Sequence, residues 1–430
     1  MAALKRHTTP HRAQTGAGSE NISLDEPQLN DYAAQVAKGH GMDPRARTVL
    51  IVCVVLACVY AVGLVVPKDM LNEALHYAGY NQGYSFAWFV QSLQENVAGL
   101  AALLSGNAGS SSPVGYQMLL YVVVALTGAG MALSGAVYQG SFKNELVTPS
   151  ALGVMGGSTL GMAVFIALFV RDDGSGFTGL RDLFTGAGAG DALAAMWASY
   201  GLAVCSFAGC LLVVGLVVFT MRVLNRGQLS GIGMILTGQV IGAVCGGIVS
   251  VIRYYFIYTN PEGAQAYALQ QIQVSSFFRH YTPADVIAIL IPVLACFALI
   301  MSLNQKMMLL TLSEDEARSL GADTSAIKVV LVGACTLLTA IIVSFCGHTG
   351  FVGFLAPHIA RRLVGPNFRF LLPASMAVGA VFVLGSYVLV QMTLGPAYET
   401  VAGVFISIFG ACVFLYTAIR SGGGERSEFR

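Results

Sequence analysis

The chain has 430 residues, of which 55% are apolar and only 10% are charged. Soluble domains carry about 25% charged residues, so this composition excludes an ordinary soluble protein and predicts an all-α integral membrane protein. The formal net charge of +1 gives no electrostatic reason to expect a nucleic acid or an acidic substrate as a partner. The nine cysteines form no C-x-x-C pair, which favours small apolar side chains in helices over disulfides or metal ligands.

Apolar runs of membrane-spanning length divide the chain. Residues 1–47 lack hydrophobic periodicity and predict a disordered tail, and residues 421–430 form a second polar tail. Between them we predict a transmembrane domain over residues 48–420 that forms a polytopic bundle, with an outer loop at 68–115. The predicted spans, about ten in number, cover residues 48–66, 117–139, 149–170, 192–220, 229–258, 282–303, 326–346, 347–366, 370–394 and 396–420.

The distribution of Lys and Arg predicts which ends of the spans face the cytoplasm. A basic tail precedes the first span, and an even number of spans returns the chain to the same side. On this threading nine basic residues lie in inner loops and five in outer loops, in agreement with the positive-inside rule. We therefore predict a multi-pass protein of the cell membrane with both termini in the cytoplasm.

Two spans carry glycines at a spacing of four residues, which allows the backbones of neighbouring helices to approach closely. In the third span these are Gly153, Gly157 and Gly161. In the fifth span they are Gly238, Gly242 and Gly246.

The eighth predicted span cannot be one continuous helix. Gly347, Gly350 and Gly353 interrupt it, and Pro357 cannot donate a backbone hydrogen bond. We predict a helix only over residues 357–364, about 12 Å long against a hydrocarbon core of about 30 Å. Irregular backbone at this depth is tolerated only inside protein or beside a water-filled cavity. The segment therefore predicts a gate or part of a substrate path.

A short polar helix is predicted between the sixth and seventh spans. The sequence from Ser313 to Glu316 matches a capping box, and Gly321 ends the helix. A helix of this length is not stable alone. It either packs against its own bundle or is a docking helix that a soluble partner grips.

The sequence contains no motif that indicates catalysis. It lacks the phosphate-binding loop G-x-x-x-x-G-K-[ST], H-E-x-x-H and G-x-S-x-G, so neither an active site nor a cofactor is expected. Glu399, near the start of the tenth span, is interpreted as an anion that complements the helix dipole, with a proton relay as the alternative. His348 and His358 are interpreted as hydrogen-bonding residues at the bend, with metal or haem ligands as the alternative.

Three blocks of the sequence resemble the FecCD-type permeases of ABC importers. The first runs from Leu133 through Asn144 to Gly157, and is similar to the family's connector between the second and third spans. The second runs from Leu312 to Gly321, similar to the family's cytoplasmic docking helix. The third is G-x-x-G-F-V-G-x-x-x-P-H-x-x-R at residues 347–361. The blocks occur in the family's order, and the resemblance covers about residues 48–420.

The resemblance implies a type II ABC importer permease. It implies a pore of two permease subunits, two cytoplasmic ATPase subunits, and an extracytoplasmic binding protein that delivers the cargo. The residues it assigns to ATPase docking are Ser313, Glu314, Asp315, Glu316, Ala317, Arg318, Leu320 and Gly321. The residues it assigns to the gate or pathway are Asn144, Gly238, Gly242, Gly246, Gly350, Gly353, Pro357, His358, Arg361, Glu399 and Gly403. In this family the fifth and tenth spans line the pathway.

The chain departs from the family pattern at several positions. The family's R-x-P-R before the second span reads Gln117–Leu120, and its Asn-Pro reads Asn144-Glu145. The aspartate and arginine that the resemblance leads us to expect late in the ninth span are Ser386 and Gln391. These departures favour a heterodimer with a more typical permease. The expected cargo is a ferric siderophore or a related iron chelate, with haem or cobalamin as the alternative, and an ion-coupled secondary transporter is the alternative mechanism.

Overall fold

The computed structural model describes residues 44–65, 94, 97–98, 113–145, 147–170, 192–224, 231–274, 277, 281–310, 324–347, 349–394 and 403–412. Residues 1–43 of the predicted N-terminal tail, the C-terminal tail, most of the predicted outer loop and the predicted docking helix at 313–321 lie outside these residues. The predicted end of the N-terminal tail at residue 47 was wrong, because residues 44–47 already belong to a helix. The helices of the described part are α1 (Pro44–Val65), α2 (Pro113–Phe142), α3 (Val154–Phe169), α4 (Ala192–Leu224), α5 (Gly231–Thr259), α6 (Ala264–Val274), α7 (Pro283–Ser302), α8 (Asn304–Leu309), α9 (Thr324–Cys346), α10 (Val352–Val364), α11 (Phe368–Leu394) and α12 (Gly403–Cys412).

Seven helices of the described part are long and apolar enough to cross a membrane, namely α1, α2, α4, α5, α7, α9 and α11. The other three predicted spans coincide with the shorter helices α3, α10 and α12. Each predicted span therefore coincides with a helix. The predicted helix start at Thr282 is also confirmed, because Thr282 and Asp285 form a reciprocal capping box at the beginning of α7.

Helix α2 lies at the centre of the bundle. In its apolar stretch 78% of the residues are buried, compared with 6% in α1 and 17% in α5. Helices α9, α10 and α11 pack around it. Uncharged hydrogen bonds join α2 to α9, where Tyr138 pairs with Thr336 and Ser134 donates to the Cys335 carbonyl at 3.3 Å. Such bonds satisfy polar groups that would otherwise be costly in an apolar interior.

Helix α3 packs against α4 and α5 through glycines, as the G-x-x-x-G spacing predicts. A Cβ atom at Gly153 would lie 2.5 Å from the carbonyl oxygen of Gly238, and one at Gly157 would lie 2.5 Å from that of Gly209. The hydroxyl groups of Ser158 and Ser206 are 2.6 Å apart in the α3–α4 contact. The predicted backbone-close packing of the third span is therefore confirmed.

The predicted start of the short helix in the eighth span was wrong. Helix α10 begins at Val352, five residues before Pro357, and has 13 residues. The carbonyl of Phe351 accepts from the N–H groups of Phe354 and Leu355 at 3.0 and 2.8 Å, so the first turn closes before the proline is reached. At that position Pro357 removes only the bond to the carbonyl of Gly353.

The stretch between the fifth and sixth predicted spans contains a helix that was not predicted, α6. Ala266, Leu269 and Ile272 lie on one face of α6 and are buried among the ends of α3, α4 and α5. Gln265 Nε2 donates to the carbonyl of Val170 at 2.5 Å, which fixes the start of α6 at the end of α3. Three apolar residues at a spacing of three are typical of a helix, but the glutamines between them made the stretch polar overall, as in a loop.

Candidate functional site

The backbone between α9 and α10 turns within five residues. Gly347 and Phe351 adopt positive φ angles of 73° and 61°, which is easy for glycine and unfavourable for phenylalanine. The N–H of Phe277 donates to the carbonyl of Cys346 at 2.9 Å, and the N–H of Val352 donates to the carbonyl of buried Gly350 at 2.8 Å. The break is therefore held by protein groups, as irregular backbone in a membrane requires.

The start of α10 lies directly against the backbone of α2. The carbonyl of Gly353, to which Pro357 cannot donate, is in contact with Gly135, and a Cβ atom at Gly135 would overlap it. That Cβ would also lie 2.5 Å from the Gly353 carbonyl carbon, and a Cβ at Gly353 would lie 3.1 Å from the Met131 carbonyl oxygen. The two helices can approach this closely only because both positions are glycine.

The C-terminal half of α10 is joined to the segment that follows α2 by polar side chains. Arg361 Nη1 lies 2.7 Å from Glu145 Oε1, and Arg361 Nη2 donates to Gln139 Oε1 at 3.2 Å. His358 Nδ1 lies 3.4 Å from Glu145 Oε2, and its ring stacks on Phe354 at 6.3 Å between centroids. Gln139 Nε2 in turn donates to the Phe354 carbonyl at 3.2 Å. We call Gln139, Glu145, His358 and Arg361 the connector cluster.

The structure thus brings the first and third sequence blocks together. Asn144 lies beside the connector cluster, with its N–H donating to the Gln139 carbonyl at 3.2 Å. Sequence reasoning selected Asn144, His358 and Arg361 but missed Glu145, which it treated only as a departure from the family pattern. The available signal was that Glu145 is an acidic residue in a connector that must lie near the basic end of the eighth span.

The glycines assigned to the pathway on α5 and α12 lie away from this cluster. Gly238 and Gly242 contact Gly153 and Gly156 of α3, whereas a Cβ atom at Gly246 would have no neighbour within 4 Å. Gly403 is buried at the start of α12. Their pathway role stays a prediction. Glu399, His348 and the docking residues 313–321 lie outside the described residues.

Helix α5 presents a long apolar face that the described part of the chain leaves uncovered. Leu236, Val240, Val244 and Val251 are 58–69% exposed and repeat at helical spacing. The same face ends in three exposed tyrosines, Tyr254, Tyr255 and Tyr258. Helix α12 has a similar exposed set, Val404, Phe405, Ile408 and Phe409. Faces of this kind contact a partner protein or lipid.

A second polar network lies at the opposite end of α2. The Tyr121 hydroxyl donates to Gln391 Oε1 at 2.5 Å and accepts from Gln117 Nε2 at 2.7 Å. Gln117 Nε2 also donates to the carbonyl of Gly63 at 3.1 Å. Gln117, Tyr121 and Gln391 are all buried. This network ties α1, α2 and α11 together without a charged group.

No group of three or more His, Cys, Asp or Glu side chains that could hold a metal ion occurs in the described part of the chain. The connector cluster contains one carboxylate and one histidine, accompanied by a guanidinium that is itself a cation. Its chemistry is that of a structural ion pair.

A sequence model of the FecCD transport family matches residues 87–420. The chain belongs to this family. The Fe(3+)-citrate import system permease protein YfmE of Bacillus subtilis (strain 168) is 28% identical over 305 residues, which cover 70% of this chain and 80% of that protein. The iron(3+)-hydroxamate import system permease protein FhuB of the same organism is 30% identical over 309 residues, covering 70% and 69% of the two chains. The cobalamin import system permease protein BtuC of Halobacterium salinarum is 28% identical over 295 residues, covering 69% and 70%.

One solved structure, described as an inward-facing conformation of a metal-chelate type ABC transporter, matches with a TM-score of 0.63. The match covers 87% of this chain and 99% of the other at 22% identity, so it shows the fold alone. Family and fold together confirm the FecCD resemblance and the all-α polytopic permease fold. This FecCD chain is a multi-pass membrane protein and a permease subunit of an ABC importer, and not an enzyme. The alternative of an ion-coupled secondary transporter is therefore abandoned.

Proposed function

We propose that the chain forms one half of the membrane pore of an ATP-driven importer that carries an iron chelate such as a ferric siderophore. The observation that carries this proposal is the family match over residues 87–420, together with relatives whose names specify Fe(3+)-citrate and iron(3+)-hydroxamate import. A relative named for cobalamin import is 28% identical. Cobalamin, with haem, is therefore the alternative cargo.

The other half of the pore is a second permease subunit, which packs against the exposed faces of α5 and α12. Large apolar side chains cover both faces, and in a membrane such faces meet either lipid or the packed surface of another subunit. We propose that this second subunit is a different permease, so that the complex is a heterodimer. The cargo passes along the same two helices, beside Gly246 and Gly403.

Both termini face the cytoplasm in this proposal. The Arg45 guanidinium lies beside Gly365, and Met307 and Phe368 lie beside Gly140, so these segments share one end of the bundle. Basic residues collect at that end, namely Arg45, Lys143, Lys306, Arg361, Arg362 and Arg369. Such an excess marks the cytoplasmic side of a membrane protein.

Two ATPase subunits bind at the cytoplasmic end, one of them through residues 313–321 of this chain. Helix α8, which ends at Leu309 only a few residues before that segment, supports this because it lies at the basic end. A binding protein delivers the cargo at the opposite end. The broken segment with Gly350, Gly353 and Pro357 acts as a gate, and Glu399 keeps the role that the sequence predicts, an anion near the start of the tenth predicted span.

Uptake by the complete complex tests the cargo. The chain is co-purified with its partner subunits in proteoliposomes, and radiolabelled ferric citrate, a ferric hydroxamate, haemin and cobalamin are supplied separately with ATP inside. ATP-dependent uptake of a ferric chelate is expected, and uptake of cobalamin alone would overturn the proposal.

Deletion of residues 314–320 should abolish uptake and ATPase binding while membrane insertion persists. Unchanged uptake would refute the docking assignment.

A further inference from the structure

The connector cluster holds together two segments that are far apart in the sequence. On the side of α10, the side chains of His358 and Arg361 are only 19% and 20% exposed, whereas the side chain of Glu145 is 55% exposed. The basic partners are therefore fixed in the bundle, and the carboxylate reaches them from the surface. Glu145 therefore links the connector directly to α10.

The connector itself is held in an unfavourable conformation. Lys143 has a φ angle of 50°, in the left-handed region that non-glycine residues rarely adopt. Three backbone bonds support this turn. The N–H groups of Lys143 and Asn144 donate to the carbonyls of Gly140 and Gln139 at 3.4 and 3.2 Å, and the N–H of Val147 donates to the Asn144 carbonyl at 3.3 Å. Residues kept in such conformations are concentrated in segments that switch or clamp. The Glu145–Arg361 pair supplies a further attachment at this turn.

Helix α10 is held by apolar packing along the face that it turns to α2 and α11, and by polar contacts at its C-terminal half. It is 13 residues long, too short to be stable alone. Its first turn is positioned by the backbone contact between Gly353 and Gly135. At the other end Gly365 adopts a φ angle of 81° and ends the helix. Between these points the connector cluster provides the charged contacts that orient α10 relative to α2.

Helix α8, which precedes the predicted docking segment in the sequence, packs at the end of α2 that leads into this cluster. Helix α8 ends at Leu309, and its residue Met307 is buried against the end of α2. A Cβ atom at Gly140 would lie 3.7 Å from the end of Met307 and 2.6 Å from the Phe368 ring. Gly140 is five residues before Glu145 in the same turn. Helix α8 is therefore in packing contact with the end of α2 from which the connector starts.

We propose that Glu145 is a positioning residue that couples the ATPase side of this permease to α10. Its ion pair with Arg361 transmits movement of the connector to the broken segment, and His358 keeps the carboxylate in place. The proposal rests on the proposed function, because it assumes that an ATPase docks next to α8. It assigns to Glu145 a task in the transport cycle beyond its contribution to stability.

The test uses the complete complex in proteoliposomes with the variants Glu145→Gln, Arg361→Gln and the charge swap Glu145→Arg with Arg361→Glu. Arg369→Gln is the matched control, because it removes one exposed positive charge at the same end without touching the cluster. Uptake of ferric chelate, ATP hydrolysis and melting temperature are measured for each. Each single variant is expected to lower the amount of chelate imported per ATP by up to about fivefold, as for the loss of one ion pair whose carboxylate is half exposed. The charge swap is expected to restore at least half of it.

A purely structural role predicts a different pattern, in which melting temperature and uptake fall together and the ratio of chelate to ATP is unchanged. Any one of three results would overturn the proposal. These are that pattern, full activity of Glu145→Gln, and a charge swap that imports no more chelate per ATP than the single variants.

A second readout does not depend on the cargo. Hydrogen exchange of α10 amides in the ATP-free complex should become about tenfold faster in Glu145→Gln but not in Arg369→Gln. If the wild-type complex imports no ferric chelate, but the α10 amides still exchange faster in Glu145→Gln than in wild type, the cargo proposal fails and the mechanical link stands.

Discussion

The contact between α2 and α10 can be tested by adding a single methyl group. In Gly135→Ala the new Cβ would overlap the Gly353 carbonyl oxygen and lie 2.5 Å and 2.7 Å from the carbonyl carbon and Cα of that residue. These are backbone atoms in a packed helix and cannot move aside as a side chain end could. We expect the two helices to separate at this point.

The size of the effect follows from these distances. Carbon atoms pack at about 3.5–4.0 Å, so α10 must move by about 1 Å to accommodate the methyl group. Overpacking of this kind lowers the free energy of unfolding by about 1–3 kcal/mol. We expect a value near the upper end, because the obstructing atoms are backbone. The matched control is Gly385→Ala in α11, where a Cβ would have no neighbour within 4 Å and alanine gains up to about 1 kcal/mol of helix propensity.

The assay is denaturation of the purified chain in detergent, followed by a thiol-reactive fluorophore. Unfolding exposes the buried thiols of Cys335 and Cys346, and Cys346 directly precedes the broken segment. Gly135→Ala should unfold at a lower temperature than wild type, and Gly385→Ala at the same or a higher one. Equal stability of the two variants would refute the backbone contact and with it the position of α10.

Two further predictions concern other parts of the molecule. Tyr121→Phe removes the hydroxyl that links Gln117 to Gln391, so the free energy of unfolding should fall by about 1–3 kcal/mol. The same thiol assay measures this change. An unchanged melting temperature would contradict the network. Val244→Arg places a charge on the exposed face of α5 and should prevent association with a second permease without altering the stability of the single chain, as measured by size-exclusion chromatography with light scattering. Wild-type assembly of Val244→Arg would show that this face is turned toward lipid and not toward a subunit.

Much of the fold could be predicted from composition and local spacing. Apolar runs located every span, and glycines four residues apart located the α3 contacts, because the membrane forces each segment to satisfy its own backbone hydrogen bonds. The start of α10 could not be found in this way. Pro357 is a favourable first helical residue, whereas the observed start depends on a left-handed Phe351 that no propensity favours.

The connector cluster could not be predicted from the sequence, for a different reason. Gln139 and Arg361 are 222 residues apart in the sequence. The periodicity of residues within one segment cannot predict which other segment it contacts. The three blocks indicated which segments matter, but only the folded chain shows that Glu145 reaches the basic residues of α10. Residues that join separate blocks therefore need three-dimensional information, whereas residues within a block do not.

The departures from the family pattern are accounted for within the chain itself. Gln117 and Gln391 replace charged residues of the resemblance, and Tyr121 joins them in one buried, neutral network. A single arginine at either position would be a buried charge without a partner, which is strongly destabilising, so the two replacements depend on each other. Glu145, which replaces a proline, pairs with Arg361 of the same chain. None of these positions needs a charge from a second subunit. The exposed faces of α5 and α12 support association with a second subunit, and they fit a different permease and a second copy of this chain equally well.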